Sequence, residues 1–335
     1  MTADAGRSRW AGRLAVAALA AALAAAPATA GTRVYAAGDI ADCGGREPAT
    51  SAAATTARMI PAGTPVLMLG DAAYPHADRA TLEACYGPTW GRLLASTFAV
   101  AGNHDYVGGS AREFLDYFGE RNPHHTYFRA ALGDWWVIGL DSNLAGRPLA
   151  RQAAWLQHEL AAVGGDGRCI VALWHHALFS TGLHRGDGAR MKPVWAALDA
   201  AGADLVLSGH EHFYESFEPL DADGAPRETG IREFVVGTGG GHLVDLSLSS
   251  RHRAFAREYG VLELELDRDR YRWTFRNTAG DVRDQGEAPC RRATQPVKRT
   301  AAATRLTIAS MLAAATGPSV STAIEPRAAG TIITR

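Results

Sequence analysis

The chain has 335 residues, of which 47% are hydrophobic and 21% charged, with a formal net charge of −1. No basic cluster stands out apart from Arg291-Arg292. That balance argues against nucleic acid as the main partner, because a polyanion is held by a basic field that this chain lacks.

Residues 1–30 read as a secretory signal. Arg7, Arg9 and Arg13 give a basic start, Leu14 to Ala26 form an apolar run, and Ala28-Thr29-Ala30 supplies a small-residue cleavage site. The run is shorter than the roughly 20 apolar residues that span a bilayer, so secretion is expected, with a mature chain starting near Gly31 and no stable membrane span. Short apolar runs then alternate with helical stretches. Val34–Gly38, Val66–Leu69, Phe98–Ala101, Trp135–Leu140, Ile170–Trp174 and Leu205–Leu207 read as buried strands. Between them, 48–60, 79–94, 111–118, 149–163 and 191–201 read as helices. Beyond residue 230 the texture turns to strands, at Glu233–Val236, Gly260–Leu266 and Tyr271–Arg276. This alternation predicts an α/β protein with partly parallel pairing and a second sheet packed on the first. A single domain over 31–290 is long enough to bury one sizeable core. The Ala-, Thr-, Arg-, Pro- and Ser-rich stretch 291–335 reads as a low-complexity tail.

Four cysteines, Cys43, Cys85, Cys169 and Cys290, allow three disulfide connectivities in an exported protein. Cys43 and Cys85 each follow an acidic motif, Cys169 begins an apolar strand and Cys290 ends the folded part, which favours Cys43–Cys85 with Cys169–Cys290. None forms a Cys-x-x-Cys pair, so a zinc–thiolate site is not expected.

Five segments stand at strand ends: Gly38-Asp39, Gly70-Asp71-Ala72-Ala73-Tyr74, Gly102-Asn103-His104-Asp105, Trp174-His175-His176 and Gly209-His210-Glu211-His212. In α/β sheets the carboxyl ends of strands form the crevice where ligands bind. Any one of these segments is weak evidence, since Gly-Asp is common and a lone histidine is more often structural; five in this order are much harder to explain as packing. Carboxylate and imidazole donors without thiolate suit zinc, iron or manganese. A pair of such cations clamps the attacking and leaving oxygens of a displacement at phosphorus, and one carboxylate must bridge them.

The ordered set resembles the calcineurin-like metallophosphoesterases, and Tyr74, three residues after Asp71, points to their purple acid phosphatase branch. The likeness runs from about Val34 to Cys290 and takes in Trp90-Gly91-Arg92, Tyr117-Phe118-Gly119 and Gly237-Thr238-Gly239-Gly240. It implies two packed mixed β-sheets flanked by helices in a four-layer sandwich. It implies one metal ion held by Asp39, Tyr74 and His212 and another held by Asn103, His175 and His210, with Asp71 bridging. Fe(III) is implied at the tyrosine site and zinc, manganese or Fe(II) at the other. His104 is implied to stabilise the phosphoryl oxygens and help protonate the leaving group, with His184 as a second substrate-facing histidine; Asp105 is expected to orient ligands from an outer position. The implied activity is hydrolysis of phosphate monoesters by a metal-bound hydroxide, with a small phosphorylated substrate as the partner. The alternatives are a phosphodiesterase acting on nucleotides or lipid head groups, and a non-catalytic binding protein of the same fold.

Two departures stand out. Ile40-Ala41 follows Asp39 where many relatives place Gly or His, and the separate β-sandwich domain of plant-type purple phosphatases has no counterpart, so the resemblance is to a catalytic domain alone. Trp135, Trp136, Trp155 and Trp174 read as core, His124-His125 as surface loop, His242 as a loop residue after the glycine run that could also reach the site mouth, and His176 as equally a neighbour of the ligands or a bystander.

Overall fold

The computed structural model describes residues 31–119, 125–163, 166–244 and 252–291. The expected signal segment, His124 and the expected tail beyond Arg291 lie outside them.

Two mixed sheets carry the fold. The first has six strands, in the order β13 (Val282–Pro289), β12 (Arg270–Asn277), β11 (Gly260–Leu266), β1 (Thr32–Ala37), β2 (Val66–Met68) and β3 (Thr97–Ala99). The second has seven, in the order β10 (Ala254–Ala256), β8 (Tyr214–Ser216), β9 (Arg232–Val236), β7 (Leu205–Gly209), β6 (Cys169–His176), β5 (Trp135–Gly139) and β4 (Phe128–Leu132). β1, β2 and β3 run parallel, as do β5, β6, β7 and β9. The outer strands pair antiparallel.

The period-two alternation of a strand sorts the side chains of the second sheet. Val137, Val171, Leu205 and Leu207 join the core shared with the first sheet. Ile138, Ile170, Ala172 and Val206 pack instead with helix residues Leu156, Leu160, Trp195 and Leu198. The expected helices are present with altered limits. α1 (Ala52–Arg58) starts after Ser51, whose Oγ accepts from Ala54 N; the preceding Pro48–Thr50 is a separate 3-10 turn. The helix expected over 79–94 is instead a series of short pieces ending in a 3-10 turn at Gly91–Ser96, because Gly87-Pro88 and Gly91 interrupt regular helical bonding. α2 (Arg112–Phe118) lies where expected. α3 (Gly146–Val163) begins three residues early, since Pro148 is tolerated within the first turn. α4 (Lys192–Ala200) follows a 3-10 turn at Asp187–Met191.

Trp135 and Trp174 are fully buried, as expected. Trp136 is only partly buried and lies beneath the guanidinium groups of Arg129 and Arg168. Both favoured disulfides form, Cys43–Cys85 and Cys169–Cys290, with Cα atoms 6.0 and 5.9 Å apart. The order also extends one residue past the expected domain end: Arg291 N donates to Asp204 and its guanidinium reaches Ala203 O and Asp199.

Candidate metal centre

The carboxyl ends of β1, β2, β3, β6 and β7 meet at one rim, with both sheets contributing. Backbone bonds lock the strand ends together: Asp39 N donates to Gly70 O, and Gly38 N to Val236 O. Among the described residues the three non-glycine positions with positive φ are Asp39 (58°), Asp71 (52°) and His210 (71°). Left-handed backbone is uncommon outside glycine and concentrates at functional sites, where surrounding structure enforces it. All three belong to the expected ligand set. The glycines beside them are required by close approach: a Cβ at Gly102 would lie 2.1 Å from Asp71 Oδ1, and one at Gly70 would lie 2.5 Å from His175 Nδ1.

Asp71 sits at the middle. Its Oδ2 is 3.1 Å from Tyr74 OH on one side and 3.4 Å from His175 Nε2 on the other. Tyr74 OH also faces Asp39 Oδ1 at 2.8 Å and His212 Nε2 at 3.0 Å. On the opposite side His175 Nε2 faces Asn103 Oδ1 at 3.1 Å and His210 Nδ1 at 3.2 Å. All seven expected metal ligands are therefore gathered into two sets about Asp71. His104 borders Asp71 at 3.9 Å, and its side chain is one-third exposed. His184, nearly half exposed, places its ring 4.8 Å from that of His210.

The donor set fits cations. His175 and His212 use Nδ1 to bond the carbonyls of Leu69 and His242, which leaves Nε2 of each turned into the site. Outer partners of this kind fix the ring and its tautomer for ligation. With Nδ1 of each ring donating to a carbonyl, neutral Nε2 atoms of His175 and His212 face other acceptors at 3.2 Å and 3.0 Å, an arrangement that a metal ion or an added proton satisfies. Asp39, Asp71 and His175 offer ligand atoms all within 4.8 Å of one another. The other such trio among the described residues, Cys169, Asp204 and Cys290, has its sulfurs in a disulfide.

Carboxylates and imidazoles in the site hold one another charged. Burial alone would raise the carboxyls of Asp39 and Asp71, but the neighbouring imidazoles, His212 and His175 respectively, hold both below the ordinary range. Burial opposes charging His175 and His212, yet Asp71 beside the first and Asp39 beside the second lift them to about 10 and about 9. His210 goes the other way, pushed down to about 4 by burial and the charge on His175.

Outer groups complete the site; Asp105 was expected among them, whereas Asp187 carried no sequence signal. Asp105 accepts from the backbone N–H groups of Asp71, Ala72 and Gly102 at 2.9, 3.0 and 2.7 Å; it orients the ligand loops through amides, and burial together with the Asp71 charge pushes its carboxyl up to about 7. Asp187 meets His210 Nε2 at 3.0 Å, leaving Nδ1 for the site. His242, for which the sequence left both a loop position and the site mouth open, lies beside the site: its carbonyl holds His212, and its ring lies 4.7 Å from the ring of that residue. The glycine run brings it there, since Gly239 and Gly241 pair through N–H with Gly38 O and Asp39 O. His176 bonds Ser142 Oγ at 2.8 Å and packs 4.3 Å from the His210 ring, a neighbour of the ligands.

Comparison with known proteins agrees with this geometry. Among solved structures, the chain is similar to GAP50, the anchor in the inner membrane complex of Plasmodium (TM-score 0.62, 16% identity, covering 86% of this chain and 96% of that one). It is also similar to a purple acid phosphatase from yellow lupin (Lupinus luteus) seeds (0.56, 18%, 76% and 53%) and to PhoD (0.52, 14%, 79% and 71%). The match spans about half the length of the lupin protein, and at these identities the likenesses establish the fold. The family model described as calcineurin-like phosphoesterase matches residues 32–214. That stretch holds every strand end that builds the rim, and the chain belongs to the calcineurin-like phosphoesterase family of metal-dependent phosphoesterases.

Proposed function

We propose that the protein is a secreted phosphatase that hydrolyses phosphate monoesters at a pair of metal ions bridged by Asp71. The observation that carries this reading is the position of Asp71 Oδ2 between two ligand sets, 3.1 Å from Tyr74 OH and 3.4 Å from His175 Nε2. Asp39, Tyr74 and His212 would hold one ion, which phenolate and carboxylate oxygen favour as Fe(III); Asn103, His175 and His210 would hold a divalent zinc, manganese or iron. The chemistry such a pair would supply is a lowered pKa for bound water and compensation of the charge that develops at phosphorus.

The chain's own groups do the rest. Asp105 keeps the backbone of Asp71 and Gly102 in place, so the bridging carboxylate enters the reaction already oriented. His104 has its Nδ1 2.6 Å from Pro75 O, which directs the other face of a partly exposed ring toward substrate. There it stabilises the phosphoryl oxygens and assists proton transfer to the leaving group. His184, whose ring lies 4.8 Å from that of His210, would contact substrate as a second histidine. Among the described residues no helix is long and apolar enough to cross a membrane, and the signal-like residues 1–30 support export.

Elemental analysis of purified protein, run beside a panel of phosphate monoesters and diesters, tests the reading. Two metals per chain with preferential monoester turnover are expected; metal-free protein with full activity would overturn it, and preferential diester turnover would move the assignment to a phosphodiesterase. Amino-terminal sequencing of exported protein is expected to begin near Gly31; retention of the first thirty residues would remove the secretion assignment.

A further inference from the structure

The loop that carries His184 hangs from three buried carboxylates. Glu233 accepts from Leu178 N and Phe179 N at 3.2 and 2.9 Å. Glu215 accepts from Thr181 N at 3.1 Å and from Thr181 Oγ1 at 2.6 Å. Glu211 accepts from His184 N at 2.8 Å, and its Oε2 lies 3.5 Å from His184 Nδ1. That Oε2 is buried without a hydrogen-bond partner among the described residues, so the imidazole edge of His184 is the polar group placed to meet it. The loop passes so closely that a Cβ at Gly182 would lie 2.2 Å from Glu211 Oε2. Glu211 stands between His210 and His212, so one dipeptide step separates the residue gripping His184 from each of two expected metal ligands.

We propose that Glu211 is the positioning residue for His184: its carboxylate grips both the backbone and the ring of that histidine and sets it at a fixed place relative to the metal pair. This rests on the reading of His184 as a substrate-facing group. Glu215 and Glu233 hold the stem of the loop, while Glu211 holds the residue that reaches substrate. A histidine in a partly exposed loop otherwise samples several rotamers, and holding one of them lowers the barrier through orientation. The glutamate acts through His184 and touches no reacting atom.

A double-mutant cycle on the metal-loaded full chain tests this. Glu211→Gln keeps the shape but removes the charge, and is expected to lower kcat on p-nitrophenyl phosphate about 10- to 100-fold, by analogy with the range for outer partners that orient metal ligands. Metal content by elemental analysis is expected to stay at the wild-type level, with KM changing less than kcat. In a His184→Ala background the same substitution is expected to cost nothing further, because residues acting as a unit are not additive. Gly182→Ala presses a methyl group against the same carboxylate and is expected to give the same pattern, which keeps the test available if Glu211→Gln folds poorly. An equal fold-loss with and without His184, or a loss explained by missing metal, overturns the assignment of Glu211 alone. Undiminished turnover in His184→Ala itself removes the role of His184 in the proposed function, and this inference with it.

Discussion

Asp71 combines an unfavourable backbone with a central charge. Its φ of 52° belongs to a region that asparagine and aspartate tolerate better than most residues, so Asp71→Asn is expected to preserve the fold while removing the bridging charge. Turnover is expected to fall below detection and metal content to drop at both positions; a variant that keeps two metals and near-normal turnover would refute the bridge. Tyr74 decides a different point. Its hydroxyl faces Asp39, Asp71 and His212 within 3.1 Å, and burial followed by the charges of Asp39 and Asp71 pushes its pKa well up. Only a strongly polarising cation would make that phenol a phenolate, and a phenolate on Fe(III) absorbs visible light whereas zinc with its filled d shell gives no such band. Protein from iron-containing medium is expected to be coloured and Tyr74→Phe colourless. Activity is expected to fall only modestly, since Asp39, Asp71 and His212 remain; visible absorption with parallel kinetics checks both.

At the scale of elements, β9 carries a carboxyl whose state depends on its surroundings. Glu233 is fully buried, and burial pushes it up to about 8 although Phe179 N, Ser208 Oγ and Leu178 N all donate to it. A raised acid keeps its proton in the folded state over a range where the unfolded chain has lost it, so its contribution to stability falls as pH rises from the ordinary glutamate value to about 8. Glu233→Gln removes that term. The gap in Tm between variant and wild type is expected to move in the variant's favour as pH rises through this window, and to stop changing above it. Melting curves across pH decide, and a gap independent of pH would show that Glu233 keeps the same charge throughout.

Over the whole molecule, the two disulfides differ in what they tie. Cys43–Cys85 joins the loop after β1 to the helical segment before β3, across 42 residues. Cys169–Cys290 joins the start of β6 in the second sheet to the end of β13 in the first, across 121. Loop-closure entropy grows with the logarithm of length, which makes the longer link worth about 1 kcal/mol more than the shorter. Replacing Cys169 and Cys290 together by serine is therefore expected to cost about 1 kcal/mol more than replacing Cys43 and Cys85, within a usual range of about 2–5 kcal/mol for a native disulfide. Denaturant unfolding of the two double variants provides the comparison, and a larger cost for the shorter link would contradict it.

What the sequence determined by itself is what repeats locally. Nine apolar runs marked nine of the strands, because burial imposes its period within a few residues, and Gly-Asp, Gly-Asn-His and Gly-His-x-His announced the rim because each couples a tight backbone to a ligating side chain within one motif. Tertiary structure decided the remainder. β4, β8, β10 and β13 escaped notice; β13, with the sequence Val-Arg-Asp-Gln-Gly-Glu-Ala-Pro, is polar and ends in proline, and it is a strand because β12 offers it an edge to pair with. The seven ligands and the outer Asp105 were legible, but the other groups that hold the ligands and the His184 loop were not. Asp187, Glu211, His242 and Glu233 lie in ordinary-looking stretches and gain their meaning from neighbours 23 to 55 residues away. A hydrogen bond across such a separation leaves no periodic trace in sequence, because only the pairing of β6, β7 and β9 within the second sheet brings its ends together.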